Sequence, residues 1–292
     1  MKLEFKKDAL LNGINIVSKA IPSRTTMSIL ECILIDADAS EIKLTGNDME
    51  LGIETKVEGS ILERGKIALE AKLFSEIIRK LPDGDTPVSI TSDNHFNTVI
   101  ECENAVFNIQ GRDGEEFSYL PYIERDQHIS LTQFTLKEAI RQTIFSISPN
   151  DSNKMMAGEL LEVKDDFLKV VSLDGHRISI RNIQLKEHYD NHKVIVPGKT
   201  LSEISKILTG DNEKEVLIYF SKNHILFEFD DTVVVSRLID GEYFKIDHML
   251  SSDYETRVKL NKRDFMDNID RAMILIRDSD RKPIIMNVED NN

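Results

Sequence analysis

The sequence of 292 residues contains no tryptophan, only two cysteines and no long apolar run. Cys32 and Cys102 lie far apart in strand-like apolar stretches, and their spacing matches neither a metal site nor a redox motif. The N-terminus lacks the apolar core of a signal peptide, and no stretch of about 18 apolar residues could span a membrane. We therefore expect buried thiols in a reducing compartment, a cytoplasmic protein and no membrane partner.

Signatures of catalysis are also missing. The sequence has no GxxxxGK[ST], GxGxxG, GxSxG or HExxH pattern. His188 and His192 have metal-like spacing, but their polar neighbours predict a solvated loop. Asp174 and His176 fall two apart in a predicted turn without a matching nucleophile, which favours a structural turn or a binding surface over catalysis. We expect no catalytic residue, no metal and no cofactor.

Acidic residues outnumber basic ones by 51 to 37, which gives a formal net charge of −14. This average argues at first against a nucleic-acid partner, because phosphate binding needs clustered Lys and Arg. The five predicted helices have the opposite sign, with a combined charge of +7, so the rest of the chain carries −21. These helices cover residues 6–20, 72–81, 135–147, 199–208 and 262–277. If the helices share one surface, that surface attracts phosphates while the remainder repels them.

An internal repeat organises the whole chain. The apolar pattern of residues 3–14, a short strand followed by a helix, recurs at 129–140 and again at 258–269. Residues 66–81, read as strand, turn and helix, recur 127 positions later, and Asp113-Gly114-Glu115 recurs at the same offset as Asp240-Gly241-Glu242. The unit is therefore about 127 residues long, with two helices and several antiparallel strands. We predict an α+β fold with domains at 1–127 and 128–255 and the start of a third at 256–292.

Four motifs carry a resemblance to a known family. They are the Lys-x-[Leu/Phe]-Ser-Glu-Ile helix start at 72–77 and 199–204, the turn Asp174-Gly175-His176-Arg177, the strand Val194–Pro197, and Asp240–Tyr243. Together they resemble the bacterial sliding clamp, the beta subunit of DNA polymerase III, over the whole chain. The resemblance implies three similar domains per subunit, with antiparallel sheets outside and two inner helices in each domain. Two subunits would form a head-to-tail ring around duplex DNA.

The resemblance and the charged helices together give candidate binding residues. The DNA-binding candidates are Arg24, Lys72, Arg79, Lys80, Arg141, Asn150, Lys199 and Lys206. The candidates for an outer pocket that receives short peptides are Met156, Gly175, His176, Arg177, Ile178, Phe244, His248 and Met249. Phe244 replaces a proline common in that pocket and His248 replaces a basic residue. The candidates for the contact between subunits are Phe107, Ile274 and Leu275.

The implied function is a non-catalytic processivity subunit of a DNA-directed DNA polymerase. Its expected partners are double-stranded DNA, the replicative polymerase, the clamp loader, repair polymerases and a second copy of itself. Family members usually run well past 292 residues. Two alternatives remain open at this point: a nucleic-acid-modifying enzyme that uses Asp174 and His176, and a repeat-built scaffold that binds peptides without DNA.

Overall fold

A computed structural model describes residues 1–148, 153–246, 249–250, 253, 255–274, 276 and 284–288. The chain divides into two compact units, Met1–Tyr243 and Phe244–Asn292. Both helices and antiparallel sheets are present, which confirms the α+β fold. The first two predicted domains fall together in the first unit, and the boundaries at 127 and 255 stay predictions.

The first repeat contains two helices and ten strands. The helices are α1 (Lys7–Val17) and α2 (Ala71–Lys80). The strands are β1 (Lys2–Phe5), β2 (Cys32–Asp36), β3 (Ile42–Asn47), β4 (Leu51–Val57), β5 (Gly59–Glu63), β6 (Lys66–Glu70), β7 (Val88–Ser92), β8 (Asn97–Cys102), β9 (Ala105–Gln110) and β10 (Arg112–Asp113).

The second repeat follows the same plan with fewer, longer strands. Its helices are α3 (Gln133–Thr143) and α4 (Gly198–Ile207). Its strands are β11 (His128–Thr132), β12 (Gly158–Leu173), β13 (Ile178–Pro197), β14 (Glu215–Phe220), β15 (His224–Phe229) and β16 (Thr232–Arg237). α3 begins 126 residues after α1, and α4 begins 127 residues after α2. The spacing predicted by the repeat is therefore confirmed for both helices.

Backbone pairing joins the two repeats. One nine-stranded sheet runs in the order β10-β6-β2-β3-β4-β16-β15-β14-β11, so β4 of the first repeat pairs with β16 of the second. We call this pairing the joint. A second sheet runs β5-β1-β7-β8-β9, and β12 pairs with β13. The linker, residues 118–127, crosses the joint: Leu120 covers Gly52, and Ile123 is buried against β14–β16.

The helices bury one face each against the sheets. α1 buries Leu10, Ile14 and Val17, the positions that the helical period predicts. Glycine allows the helix end to approach the sheet, because a Cβ on Gly46 would lie 2.4 Å from the Val17 carbonyl oxygen. Cys32 and Cys102 are buried free thiols, as predicted, and burial raises the pKa of both.

Two predictions about local structure were wrong. His188 and His192 lie in β13 rather than in a polar loop, because the β12–β13 pairing extends through Tyr189 and His192. Residues 256–261 form no strand in the second unit. The matching strands β1 and β11 pair with β7 and β14, whereas residues 256–261 pair with no strand among the described residues. A strand without a partner leaves its backbone groups without ladder hydrogen bonds.

The second unit contains the predicted helix of the third repeat, α5 (Lys262–Met273). The Asn261 side chain starts it by accepting hydrogen bonds from the backbone N–H groups of Arg263 and Asp264 at 2.9 and 3.4 Å. No residue of this helix is buried. Among the described residues of the chain, no helix is long and apolar enough to cross a membrane.

Candidate nucleic-acid interface and binding turn

The helices of the first unit form one surface. α1 contacts α2, and α3 contacts α4. α1 and α4 line a common groove of about 400 Å³, with Asn12 and Asn15 on one side and Lys206 on the other. We call the exposed faces of α1–α4 the helical surface. Four helices from two repeats therefore face the same region, as the charge distribution requires for a shared phosphate-binding surface.

Four predicted DNA-binding cations are exposed and have no ion-pair partner among the described residues. They are Arg24, Lys72, Arg79 and Lys80. Within the described part of the chain, no carboxylate lies within 4.0 Å of their charged nitrogens. Arg79 makes one weak neutral contact, to Ser75 Oγ at 3.3 Å. No ion pair within the described part of the chain competes with an external anion for these side chains.

Three further predicted cations already have anionic partners. Arg141 is 2.6 Å from Glu138, Lys206 is 2.7 Å from Glu203, and Lys199 binds Asp48. The hydrogen bond from Arg141 lowers the pKa of Glu138. These three cations therefore add less net charge to the helical surface than the sequence indicates. Asn150, the eighth candidate, lies outside the described residues.

Two helix lysines that the helix charge includes have structural roles instead of facing an external anion. Lys7 donates to the Leu81 carbonyl oxygen at 2.6 Å, and Lys137 donates to the Leu208 carbonyl oxygen at 2.7 Å. Each lysine comes from the first helix of its repeat and satisfies a carbonyl just after the second helix. Cations are favourable there because helix C-termini carry partial negative charge. These two lysines hold helix pairs together.

The binding turn, residues 174–178, is held by the Asp174 carboxylate. Oδ1 accepts from the backbone N–H groups of His176 and Arg177 at 3.0 and 3.2 Å, and Oδ2 accepts from Arg177 Nε at 3.0 Å. These hydrogen bonds, first of all the one from His176 N–H, lower the pKa of Asp174. The carboxylate is thus used to shape the turn. Gly175 adopts φ +87°, and a Cβ added there would meet no atom within 4 Å, so glycine is favoured by the backbone conformation and not by a close contact.

Apolar and aromatic groups lie beside this turn. Arg177 stacks over the ring of Phe145 at 5.6 Å, and Phe145 is exposed. Met156 and Ile178 are half-buried and His176 is exposed. Phe145 is the residue here that the sequence analysis missed, because it follows α3 and lies far from the turn in sequence. The surface around this turn thus combines an aromatic ring with a cationic side chain.

The remaining candidates fall in the second unit or at a sheet edge. Phe244 is half-buried and Met249 is 52% exposed, whereas His248 lies outside the described residues. Phe107 is half-buried on β9, the edge strand of the five-stranded sheet. Ile274 is 78% exposed, and Leu275 lies outside the described residues. No group of three or more His, Cys, Asp or Glu in the described part of the chain could hold a metal.

Glu159 is a buried acid that the sequence did not single out. It is fully inaccessible, its Oε2 lies 3.1 Å from Thr143 Oγ1, and its Oε1 has no partner among the described residues. Burial raises the pKa of this carboxyl to about 8. Tyr243 is buried nearby, with its hydroxyl donating to the Val171 carbonyl oxygen at 3.3 Å, and burial raises its pKa as well.

Repeated α+β units joined edge to edge, with cationic helices on one face, are the architecture of the class of DNA sliding clamps. Family models agree: the N-terminal domain of the DNA polymerase III beta subunit matches residues 1–121, and its central domain matches residues 130–245. The chain belongs to the DNA polymerase III beta subunit family, the bacterial sliding clamps. Members of this family are non-catalytic processivity subunits. The alternative of a nucleic-acid-modifying enzyme is therefore excluded.

Individual relatives support the assignment. The beta sliding clamp of Staphylococcus epidermidis is 35% identical over 286 residues, covering 95% of this chain and 75% of the relative. The crystal structure of a DNA polymerase III beta subunit from Eubacterium rectale is 64% identical with a TM-score of 0.96, covering 99% of this chain and 78% of that one. The Bacillus subtilis DNA polymerase sliding clamp is 34% identical with a TM-score of 0.92, covering 96% and 75%.

Proposed function

We propose that this chain acts as a DNA sliding clamp: a ring of two head-to-tail copies that encircles duplex DNA and tethers the replicative polymerase. A closed ring does not need tight binding, because it cannot leave the duplex sideways. Tethering raises the effective concentration of the polymerase at the primer end, which gives processivity without catalysis. The expected location is the cytoplasm, where bacterial DNA is replicated.

The observation that carries this proposal is a strand edge that has no partner among the described residues. β16 of the second repeat pairs with β4 through one edge. β9 occupies the matching place in the first repeat, 127 residues earlier, and it is the last strand of its sheet. We infer that β9 pairs with a strand of a second copy. That strand would hold, in another repeat of the second copy, the position that β4 holds in the first repeat. Phe107, the counterpart of Val234, then lies inside the contact between subunits, and Ile274 and Leu275 are proposed to lie on the other side.

The helical surface is proposed to face the DNA. Arg24, Lys72, Arg79 and Lys80 offer uncompensated charges that contact phosphates without reading sequence. Arg141, Lys206 and Asn150 are proposed as secondary contacts. Because such contacts are weak and screened by salt, they permit sliding. The acidic remainder of the chain limits adhesion of DNA elsewhere.

The binding turn is proposed to receive peptide segments of partners. His176 and Arg177 supply polar contacts, while Met156, Ile178 and Phe145 supply adaptable apolar contacts. Phe244, His248 and Met249 are proposed to complete this pocket. The proposed users are the catalytic subunit of the replicative polymerase, the clamp loader and repair polymerases.

Topological trapping tests this function. The protein is loaded onto nicked circular plasmid and isolated as a complex, and the plasmid is then cut once. We expect bound protein to be lost after linearisation, because a ring slides off a free end. A Phe107→Asp variant should fail to be retained on the circle, whereas the matched Phe107→Leu variant should be retained. Protein that stays bound after linearisation contradicts the ring.

A further inference from the structure

The β3–β4 turn ties the two repeats together on opposite faces of the sheet. Gly46 faces Val17 of α1, so its neighbour Asn47 faces the other side, where its Nδ2 donates to the Ser118 carbonyl oxygen of the linker at 3.2 Å. The next residue, Asp48, accepts a hydrogen bond from Lys199 Nζ at the start of α4. Asn47 is buried as a whole residue, and the side chain of Asp48 is almost fully buried.

The Asp48 carboxylate is fixed by its own turn. Oδ1 accepts from the backbone N–H groups of Glu50 and Leu51 at 3.0 and 2.7 Å, which leaves Oδ2 directed to Lys199. The Asp48 side chain is 7% exposed. Among the described residues, Lys199 is its one cationic partner within 4.0 Å. The Lys199 side chain is 61% exposed, so the pair covers the Asp48 carboxylate from the solvent side, and loss of the ammonium group would leave that shielded charge without its cation.

The other paired cations of the helical surface differ in one respect. Arg141 and Lys206 bind Glu138 and Glu203, which lie three residues earlier on the same helices. Those ion pairs are local and connect nothing. The Lys199–Asp48 pair instead joins α4 of the second repeat to the β3–β4 turn of the first, beside the β4–β16 joint.

We propose that Lys199 is a positioning residue of the joint between the repeats, held by Asp48, and not a ligand of DNA phosphate. Moving its ammonium group to a phosphate would leave the Asp48 carboxylate buried without a cation. Lys199 therefore holds α4 against the first repeat and keeps the helical surface continuous. The statement that Lys199 does not bind DNA phosphate rests on the proposed function. The statement that Lys199 stabilises the joint does not depend on it.

Two measurements on the 292-residue chain test this role. The first is hydrogen exchange of the backbone amides in β4 and β16. We expect Asp48→Asn and Lys199→Met each to raise these exchange rates about three- to tenfold, since a charged hydrogen bond across the joint is lost. The double variant should exchange no faster than either single variant. Lys199→Arg should restore protection, and Lys206→Met, which removes only a local pair, should leave β4 and β16 unchanged.

The second measurement is the salt dependence of binding to a short fluorescent duplex. We expect Lys199→Met to leave the slope of log K against log salt unchanged, whereas Lys72→Met should reduce its magnitude by about 0.9. Unchanged exchange in Asp48→Asn and Lys199→Met overturns the proposal. So does tighter DNA binding by Asp48→Asn together with a smaller slope in Lys199→Met. If the parent chain and Lys72→Met show the same slope, the DNA-facing surface fails, while the exchange rates still decide the role of Lys199.

Discussion

The carboxyl group of Glu159 lies 3.1 Å from the hydroxyl oxygen of Thr143 in the interior of the second repeat. That hydroxyl also lies 2.8 Å from the Ala139 carbonyl oxygen, which can only accept. The Thr143 hydroxyl has one hydrogen to share between Ala139 and Glu159 Oε2, and Glu159 Oε1 has no partner among the described residues, so little stabilises a charge on this carboxyl. A neutral acid is what burial favours, and it agrees with the pKa of about 8.

We predict that Glu159 makes stability fall as the pH rises. Its folded pKa of about 8 exceeds its ordinary value of 4.5, so the folded state holds a proton that the unfolded state releases. The stabilisation is full below pH 4.5 and is lost as the pH rises through about 8. Glu159→Gln keeps a neutral polar group, and its free energy of unfolding should exceed that of the parent by up to about 5 kcal/mol above pH 8.

Urea unfolding from pH 5 to 9 measures this effect. The difference between Glu159→Gln and the parent should grow with pH and then level off. Tyr243 is the buried titratable neighbour, and the rise in its pKa leaves it neutral throughout this range. A difference that stays constant across the range contradicts a protonated Glu159.

We expect DNA binding to increase when the ion pair on α3 between Glu138 and Arg141 is removed at its acidic residue. Arg141 is compensated by Glu138, whereas Lys72 is not. Replacing Glu138 with Gln should free the Arg141 charge and steepen the salt dependence of duplex binding by up to about 0.9, while Arg141→Met in the parent should change it less than Lys72→Met does. Fluorescence anisotropy at several salt concentrations provides the slopes. Equal effects of Arg141→Met and Lys72→Met would show that the pair opens on DNA.

We expect substitution of Asp174 to weaken peptide binding while the protein still folds. Asp174→Ala removes the acceptor of two backbone N–H groups and of Arg177, so the binding turn should lose its shape. We expect calorimetry with a polymerase-derived peptide to show about tenfold weaker binding, which corresponds to about 1.4 kcal/mol. Asp174→Asn keeps an acceptor and should lose less. Equal affinity of Asp174→Ala and the parent would remove the turn from the pocket.

We expect a single added methyl group at Gly46 to lower the free energy of unfolding substantially. Gly46→Ala places a Cβ 2.4 Å from the Val17 carbonyl oxygen, and backbone atoms cannot rotate away. We expect the free energy of unfolding to fall by about 1–3 kcal/mol in urea titrations. Gly84→Ala is the matched control, because its Cβ meets only the Glu103 side chain at 3.3 Å, and it should change stability by less than about 0.5 kcal/mol. Equal stability of the two variants contradicts the close approach.

Local patterns explain which parts of the fold could be predicted. The strand–helix units at 3–14 and 129–140 are recognisable because apolar residues recur with the periods of a strand and a helix, and both form as predicted. Residues 256–261 carry the same pattern and form no strand, since strand formation depends on a partner that local sequence does not supply. His188 and His192 were assigned wrongly for the opposite reason: pairing with β12 overrides their polar neighbourhood.

The sequence by itself determined the repeat, the α+β unit, the buried cysteines and the excess of positive charge on the helices, because each depends on residue type and spacing. Only the tertiary structure decided which charges are free. Lys72 and Lys199 occupy equivalent positions in the two repeats, yet only Lys199 meets a carboxylate, Asp48, that lies 151 residues away. The same holds for Glu159, whose raised pKa comes from burial. Ion pairing and desolvation depend on neighbours in space, and these neighbours exist only once the strands of the two repeats have paired.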